Sequence, residues 1–157
     1  MNKYVDQNLI KKPLKISALC PCGSRQTYGL CCRKFIEEEC LPERPEQLMR
    51  SRYTAYTQGN MDYIQQTMVG RALKGFDPQE TRQWALTVKW KKLSVLKTGS
   101  LPAPGSGAES GAESGAESNK AYVEFVATYQ ESRSLHELRE KSEFLKQDGR
   151  WFYSGVI

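Results

Sequence analysis

The stretch Trp84-Ala85-Leu86-Thr87-Val88-Lys89-Trp90-Lys91-Lys92-Leu93-Ser94-Val95 decides the fold class. Leu86, Val88 and Trp90 alternate on even positions, the period of a strand with one buried face. After Lys91-Lys92 the apolar residues move to odd positions, at Leu93 and Val95, with no turn residue between. A phase switch inside one strand predicts a β-bulge, which bends the strand and the sheet built on it. The pattern therefore predicts a curved strand beginning near Trp84.

Upstream of this stretch the pattern is helical. Pro42, Arg44 and Pro45 mark a joint. Glu46 to Thr57 then reads as a helix, with Leu48, Arg52, Ala55 and Tyr56 on one face. Gly59-Asn60 breaks it, and Asn60 caps a second helix, to about Met68, lined by Met61, Ile64 and Met68. Asp77-Pro78-Gln79-Glu80 reads as a third helix start, with Asp77 as N-cap and Pro78 at the first helical position. Downstream the pattern is all strand. Residues 121–130 place Val123, Phe125, Ala127 and Tyr129 on one face, residues 136–146 form a third strand, and Asp148-Gly149 turns the chain into a fourth from Trp151 to Val156. Helices first and an antiparallel sheet second make an α+β fold, with the helices gathered on one face of the sheet.

Between the first two strands lie three consecutive Gly-Ala-Glu-Ser units. A four-residue period matches neither a helix face nor a strand, and glycine at every fourth position weakens a helix. Residues 104–119 are expected to be a flexible hairpin insertion.

The cysteines carry the chemistry. Four of the five lie in Cys20-Pro21-Cys22-Gly23-Ser24-Arg25-Gln26-Thr27-Tyr28-Gly29-Leu30-Cys31-Cys32, a C-x-C-x8-C-C spacing. Gly23-Ser24 supplies a turn after the first pair. The adjacent second pair can reach one ion at the start of a helix, expected over Cys31 to Glu39, where successive side chains diverge by about 100°. An odd number of cysteines with no apolar leader argues against a secreted disulfide framework. Four thiolates suit Zn²⁺ in a closed tetrahedral site, which is structural because no position is left for substrate. A free-thiol redox pair and a chance cluster of buried cysteines are the competing readings. Arg25, Arg33 and Lys34 would offset the charge of the thiolates. Cys40, eight residues on, reads as a small apolar residue rather than a fifth ligand.

This run resembles the SEC-C zinc motif found at the C-terminal tail of the SecA translocation ATPase and in many small bacterial proteins. In many members the last ligand is histidine; here Cys32 takes that place. In SecA the motif serves partner docking, so the resemblance implies a binding role. A second resemblance covers about Cys20 to Gly155. Leu48-Met49-Arg50-Ser51-Arg52-Tyr53-Thr54-Ala55-Tyr56 and Glu140-Lys141-Ser142-Glu143-Phe144-Leu145-Lys146-Gln147-Asp148-Gly149-Arg150-Trp151-Phe152-Tyr153 are similar to blocks of the YchJ-like (UPF0225) family. That family joins a SEC-C motif to an NTF2-like domain, a cone of curved sheet packed on helices. It implies two parts here: a basic arm and zinc knuckle over 1–41, and the NTF2-like domain over 42–157. Some members carry a second SEC-C motif, and this sequence contains one. The family brings no assigned activity.

A half-closed sheet leaves a concave pocket. Its candidate lining is Arg52, Tyr53, Glu140, Ser142, Trp151 and Tyr153, with Trp84 beside them. Arg52 shares the apolar face of its helix, and a buried guanidinium must find an acceptor. Two arrangements are open: an Arg52–Glu140 pair locking helix to sheet, or Arg52 facing the cone to bind an anionic ligand. The one histidine, His136, has no evident acid or thiol partner. No catalytic residue is assigned, since no Ser-His-Asp order, P-loop or H-E-x-x-H occurs.

The whole sequence is 157 residues, 39% apolar and 10% aromatic, so it can build a core and is not a disordered chain. No apolar run approaches the ~20 residues of a membrane span. No secretory leader is visible in Met1 to Lys15, so a cytoplasmic location is expected. Net charge is +5. Lys11, Lys12, Lys15, Arg25, Arg33 and Lys34 gather around the knuckle. The expected function is a binding or adaptor protein, docking a protein partner or a ribosome-like ribonucleoprotein surface through the knuckle. Nucleic-acid binding is a variant that would weaken steeply with salt. The alternative is a small-molecule binder or enzyme working in the cone.

Overall fold

A computed structural model describes residues 12–102 and 118–157. The first eleven residues of the basic arm, and all of the expected insertion but Ser118 and Asn119, lie outside the described residues. Five short helices precede four strands. The helices are α1 (Arg33–Ile36), α2 (Pro45–Gln58), α3 (Met61–Gln66), α4 (Gly70–Lys74) and α5 (Pro78–Thr87), and the strands are β1 (Lys89–Ser100), β2 (Lys120–Glu131), β3 (Ser134–Gln147) and β4 (Arg150–Val156). The strands form one antiparallel sheet in sequential order. This is the α+β architecture expected from the order of patterns.

Helix α2 is the pillar. Pro45 stands at its first position, where a missing N–H costs nothing. Gln47 Oε1 accepts from the backbone N–H groups of Glu43 and Arg44, at 2.8 and 3.2 Å. Gly59 ends the helix at φ +67, a conformation glycine adopts without strain. A Cβ at Gly59 would come within 2.7 Å of Leu86, so this glycine also lets α5 pack close. Leu48, Arg52 and Ala55 are buried as expected and Tyr56 is half-buried, but Ser51, Thr54 and Gln58 are buried too. The helix is enclosed on nearly every side, so its polar residues have had to find internal partners.

Strand β1 bends where its phase switches. The register slips between Trp90 and Lys92, so Trp90 faces Tyr129 and Leu93 faces Ala127 across the ladder. A second slip between Val95 and Lys97 adds curvature. Val123, Phe125 and Ala127 of β2 are buried on one face, opposite Ser142, Glu140 and Leu138 of β3. Asp148 and Gly149 both take positive φ in the two-residue turn to β4, at 51° and 76°.

Two expected elements differ. The strand does not begin at Trp84, because α5 runs on to Thr87. Asp77 Oδ1 accepts from the N–H groups of Gln79 and Glu80, which starts the helix firmly. Thr81, Trp84, Ala85 and Val88 also fit a helical period, and Ala85 is buried against Ala55, Met61 and Ile64. A short apolar run serves either period, and tertiary packing decides. The helix expected over Cys31 to Glu39 is a single turn, α1, preceded by a 3₁₀ turn at Tyr28–Leu30. The cysteine cluster fixes the chain on one side, and Glu39 at φ +56 ends any continuation. A turn this short has little macrodipole to favour thiolates.

The segment after α3 carried no strand signal, yet it extends the sheet. Val69 N donates to Tyr153 O at 2.9 Å, and Tyr153 N to Thr67 O at 2.8 Å. No helix among the described residues is long and apolar enough to cross a membrane.

Candidate functional site

The knuckle is a local construction. Leu19 bridges Thr27, and Cys20 N donates to Gln26 O at 2.8 Å, closing a small hairpin. Gly23 and Arg25 turn it with φ of +79° and +67°. The four sulfurs of Cys20, Cys22, Cys31 and Cys32 then lie within 4.8 Å of one another. Cys22 and Cys31 are 3.6 Å apart, Cys31 and Cys32 3.8 Å, and none is in a disulfide. Tetrahedral zinc with Zn–S bonds of ~2.3 Å places its sulfurs about 3.8 Å apart, so the residues present fit such an ion. Cys20, Cys22 and Cys32 are buried and Cys31 partly so.

Hydroxyls stand beside the sulfurs: Ser24 Oγ is 3.1 Å from Cys31 and Thr54 Oγ1 3.6 Å from Cys20. Hydrogen bonds from Cys20 and then Cys32 hold Cys22 below the usual thiol range. Cys32 and Ser24 lower Cys31 in the same way, and Cys32 is pushed up by its bonds to Cys20, Cys22 and Cys31. A group biased toward thiolate is what a divalent metal requires. Two of the three basic residues expected to offset the thiolates have other partners. Arg33 is bound by Glu37 and Glu38, each at 2.7 Å, and Lys34 lies over the Phe35 ring. Arg50 of α2 donates to the Cys22 carbonyl at 2.6 Å. Cys40 is exposed and outside the cluster.

The knuckle is not a free module. Cys20, Cys22, Cys32 and Tyr28 belong to the same buried core as Leu48, Tyr53, Leu93 and Phe144. Gln58 Nε2 of α2 donates to Tyr28 OH at 3.0 Å. This core crosses the boundary expected at residues 41/42.

The second site is a cavity of ≈ 500 Å³ inside the cone, between α2, α5 and the concave sheet face. Of the sequence candidates, Arg52, Tyr53, Glu140, Ser142, Tyr153 and Trp84 line it. Trp151 does not. Its indole N–H donates to Glu43 O at 3.2 Å, and it lines a different hollow of ≈ 550 Å³ beside α1. The charged side chains of that hollow, Glu37, Glu39, Asp62 and Arg150, are exposed or half-buried, so none is strongly desolvated there.

The cone cavity has an aromatic wall and a charged floor. Trp90 is the hub of the wall, edge-on to Tyr53 at 5.5 Å and to Trp84 at 5.3 Å, with Tyr129 at 5.8 Å. Its indole N–H is satisfied by Ala85 O at 2.9 Å. Trp90, Tyr129, Tyr56 and Phe125 were missed as lining. The alternation that put Tyr129 on the face of Phe125 was the available signal.

At the floor, Arg52 is 3% exposed. Its Nη1 donates to Ile64 O at 2.8 Å and to Thr67 Oγ1 at 2.6 Å. The guanidinium lies over the Tyr153 ring, 4.5 Å from its centroid. Glu140 Oε1 accepts from Ser142 Oγ at 2.6 Å and from Tyr153 OH at 2.9 Å. The expected Arg52–Glu140 ion pair is absent among the described residues. Backbone geometry explains this: Ile64 and Thr67, at the end of α3, take one edge of the guanidinium, and Tyr153 stands between the two charges. Burial pulls Arg52 below its ordinary range, an effect that nearby Tyr56, Tyr153 and Glu140 oppose. Burial, and then the Glu140 charge, push the Tyr153 phenol up. His136 is outside the cavity lining, exposed and stacked on Tyr129 at 5.3 Å.

A four-cysteine knuckle packed into the core of a curved sheet and its helices defines a SEC-C motif protein with an NTF2-like domain. The SEC-C motif model matches residues 17–34, and the model for the YchJ middle NTF2-like domain matches residues 44–155. The chain belongs to the UPF0225 family. It is 34% identical to a UPF0225 protein of Geobacter sulfurreducens, over 87% of this chain and 76% of that one. It is 37% identical to one of Haemophilus influenzae strain Rd, over 85% and 74%. Among solved structures, a SEC-C motif containing protein from Rhodopseudomonas palustris superposes with a TM-score of 0.70 at 31% identity, over 88% of this chain and 96% of that one. One from Psychrobacter arcticus, at 22% identity and a TM-score of 0.68, shares the fold over 88% and 82%.

Proposed function

We propose that this protein is a small-molecule binder whose cone is held in shape by a structural zinc ion. The observation that carries the reading is Arg52. A guanidinium 3% exposed uses Nη1 for neutral acceptors and has no carboxylate partner, on the floor of a ≈ 500 Å³ cavity. Unpaired buried charge is costly, and such groups cluster where a ligand completes them. The cavity size and the mix of aromatic wall and few polar groups are those of ligand sites. The zinc, held by Cys20, Cys22, Cys31 and Cys32, supplies no chemistry to the cavity, because four protein ligands close it. A thermal-shift screen across metabolite classes, on metal-loaded protein, tests the reading. It predicts stabilising hits, those that carry an anionic group being weakened by Arg52→Met, and absence of any hit counts against it.

A second reading, docking of a protein or ribonucleoprotein partner through the knuckle, has its own observation. Ile16, Leu19 and Leu30 are 57%, 72% and 75% exposed on the knuckle surface. Single exposed apolar residues are ordinary, but three on so small a unit form a contact surface. Leu19→Asp with Leu30→Asp leaves the metal ligands intact. It should release any partner captured by the wild-type protein; unchanged capture argues against docking.

A further inference from the structure

We infer that the cone takes a small aromatic zwitterion, a molecule with the chemistry of an aromatic amino acid; this rests on the proposed binding role of the cavity. Three charged side chains line the cavity: Glu80 of α5 is exposed, while Arg52 and Glu140 share the floor without an ion pair between them. These two sit on the same tyrosine, the Arg52 guanidinium over the Tyr153 ring and the Glu140 carboxylate on its hydroxyl. Nη1 is the guanidinium nitrogen that hydrogen bonds, to Ile64 O and Thr67 Oγ1, and among the described residues every fully buried side-chain polar atom has a partner. The other nitrogens of Arg52 make no hydrogen bond among the described residues and are therefore not fully sealed off, and Arg52 is one of the residues that line the cavity. Glu140 is in the same position: Oε1 takes both hydroxyl bonds and Oε2 takes none among the described residues.

Charge logic selects the ligand. A simple anion on Arg52 would meet the Glu140 carboxylate in the same low-dielectric space. A simple cation on Glu140 would meet Arg52. A ligand with one group of each sign completes both, and charge-assisted hydrogen bonds of this kind are the strong ones. The body of the ligand is set by the wall. Tyr53, Trp84, Trp90 and Tyr129 pack edge-on and tilted to one another, the arrangement that receives a further ring in offset or edge contact. Neither an unbranched chain nor a bare ion uses that wall.

The test is calorimetric titration of the full-length, metal-loaded chain with four probes sharing one ring: tryptophan, tryptamine, indole-3-propionate and indole. The expected result is tryptophan binding at least tenfold more tightly than the cation or the anion. Glu140→Gln should remove that advantage and strengthen indole-3-propionate, because the repelling carboxylate is gone. Arg52→Met should mirror it, weakening tryptophan and strengthening tryptamine. Indole affinity, equal in wild type and both variants, reports that the cavity is still formed. Equal binding of all four probes, or tightest binding of indole, overturns the zwitterion and leaves the cavity a ligand site. Binding by none of the four overturns the aromatic zwitterion, and the absence of any hit in the metabolite screen as well overturns the binding role of the cavity.

Discussion

The knuckle and the cone solve the problem of buried polarity in opposite ways. The knuckle concentrates four sulfurs within thirteen residues of sequence, and one ion can satisfy them all. The cone draws its polar floor from α2, β3 and β4, residues 52 to 153, and leaves two opposite charges that share Tyr153 but do not pair with each other. One site is closed by its own ligands; the other has spare donor and acceptor capacity. A closed site stabilises and an open one binds, which is why chemistry is assigned to the cone.

The largest test of this contrast is the loss of a sulfur. Structural zinc contributes on the order of 10 kcal/mol of binding free energy. That rivals the entire net stability of a domain, about 5–15 kcal/mol. Cys22→Ser should lose the metal and unfold the chain at room temperature, as read by circular dichroism. Next is the core that both regions share. Phe144 is fully buried among residues of knuckle and cone alike, and Phe144→Ala should cost about 3–5 kcal/mol in urea unfolding. If only the cone loosened while the knuckle kept its protection from hydrogen exchange, the two would not share a core.

The third test separates binding from stability. Arg52→Met removes the buried charge, and the single Thr67 hydroxyl proton is still within reach of Tyr63 O at 2.8 Å and Ile64 O at 3.1 Å, which share it. Replacing a buried charge by an apolar side chain is close to neutral when acceptors stay satisfied. The variant should stay within about 2 kcal/mol of wild type in urea unfolding; a larger loss would make Arg52 a structural residue. The smallest effect is at a purely local signal. Asp77→Ala deletes the N-cap of α5 and should cost about 1 kcal/mol, seen as a small fall in Tm with ligand binding retained.

How much could be read in advance follows the same division. The cysteine spacing, the Asp77 and Asn60 caps, the Asp148-Gly149 turn and the bulge after Trp90 are local signals, and each is found where the sequence placed it. The length of α5 and the shortness of α1 were not legible, since packing against α2 and the pinning of Cys31 and Cys32 decided them. In the cavity, Arg52, Glu140 and Tyr153 were named, but how they meet was not. The capture of Arg52 by Ile64 and Thr67 depends on where α3 ends. The pairing of Tyr153 with Thr67 and Val69 has no pattern in the sequence at all. Trp151 was named for the cone together with Tyr153, yet the two line different hollows.

The most direct test is metal removal followed at the tryptophans. Trp84 and Trp90 line the cone, Trp151 is buried in the core shared with the knuckle cysteines, and none lies in the knuckle itself, so the emission reports on the cone and that shared core. Freshly purified chain should carry one equivalent of zinc. Stripping it with a strong chelator should shift the emission to that of solvent-exposed indole, together with loss of the far-ultraviolet dichroism in a single transition. Four sulfurs freely titratable and metal-free, beside an unchanged tryptophan spectrum, would contradict the account.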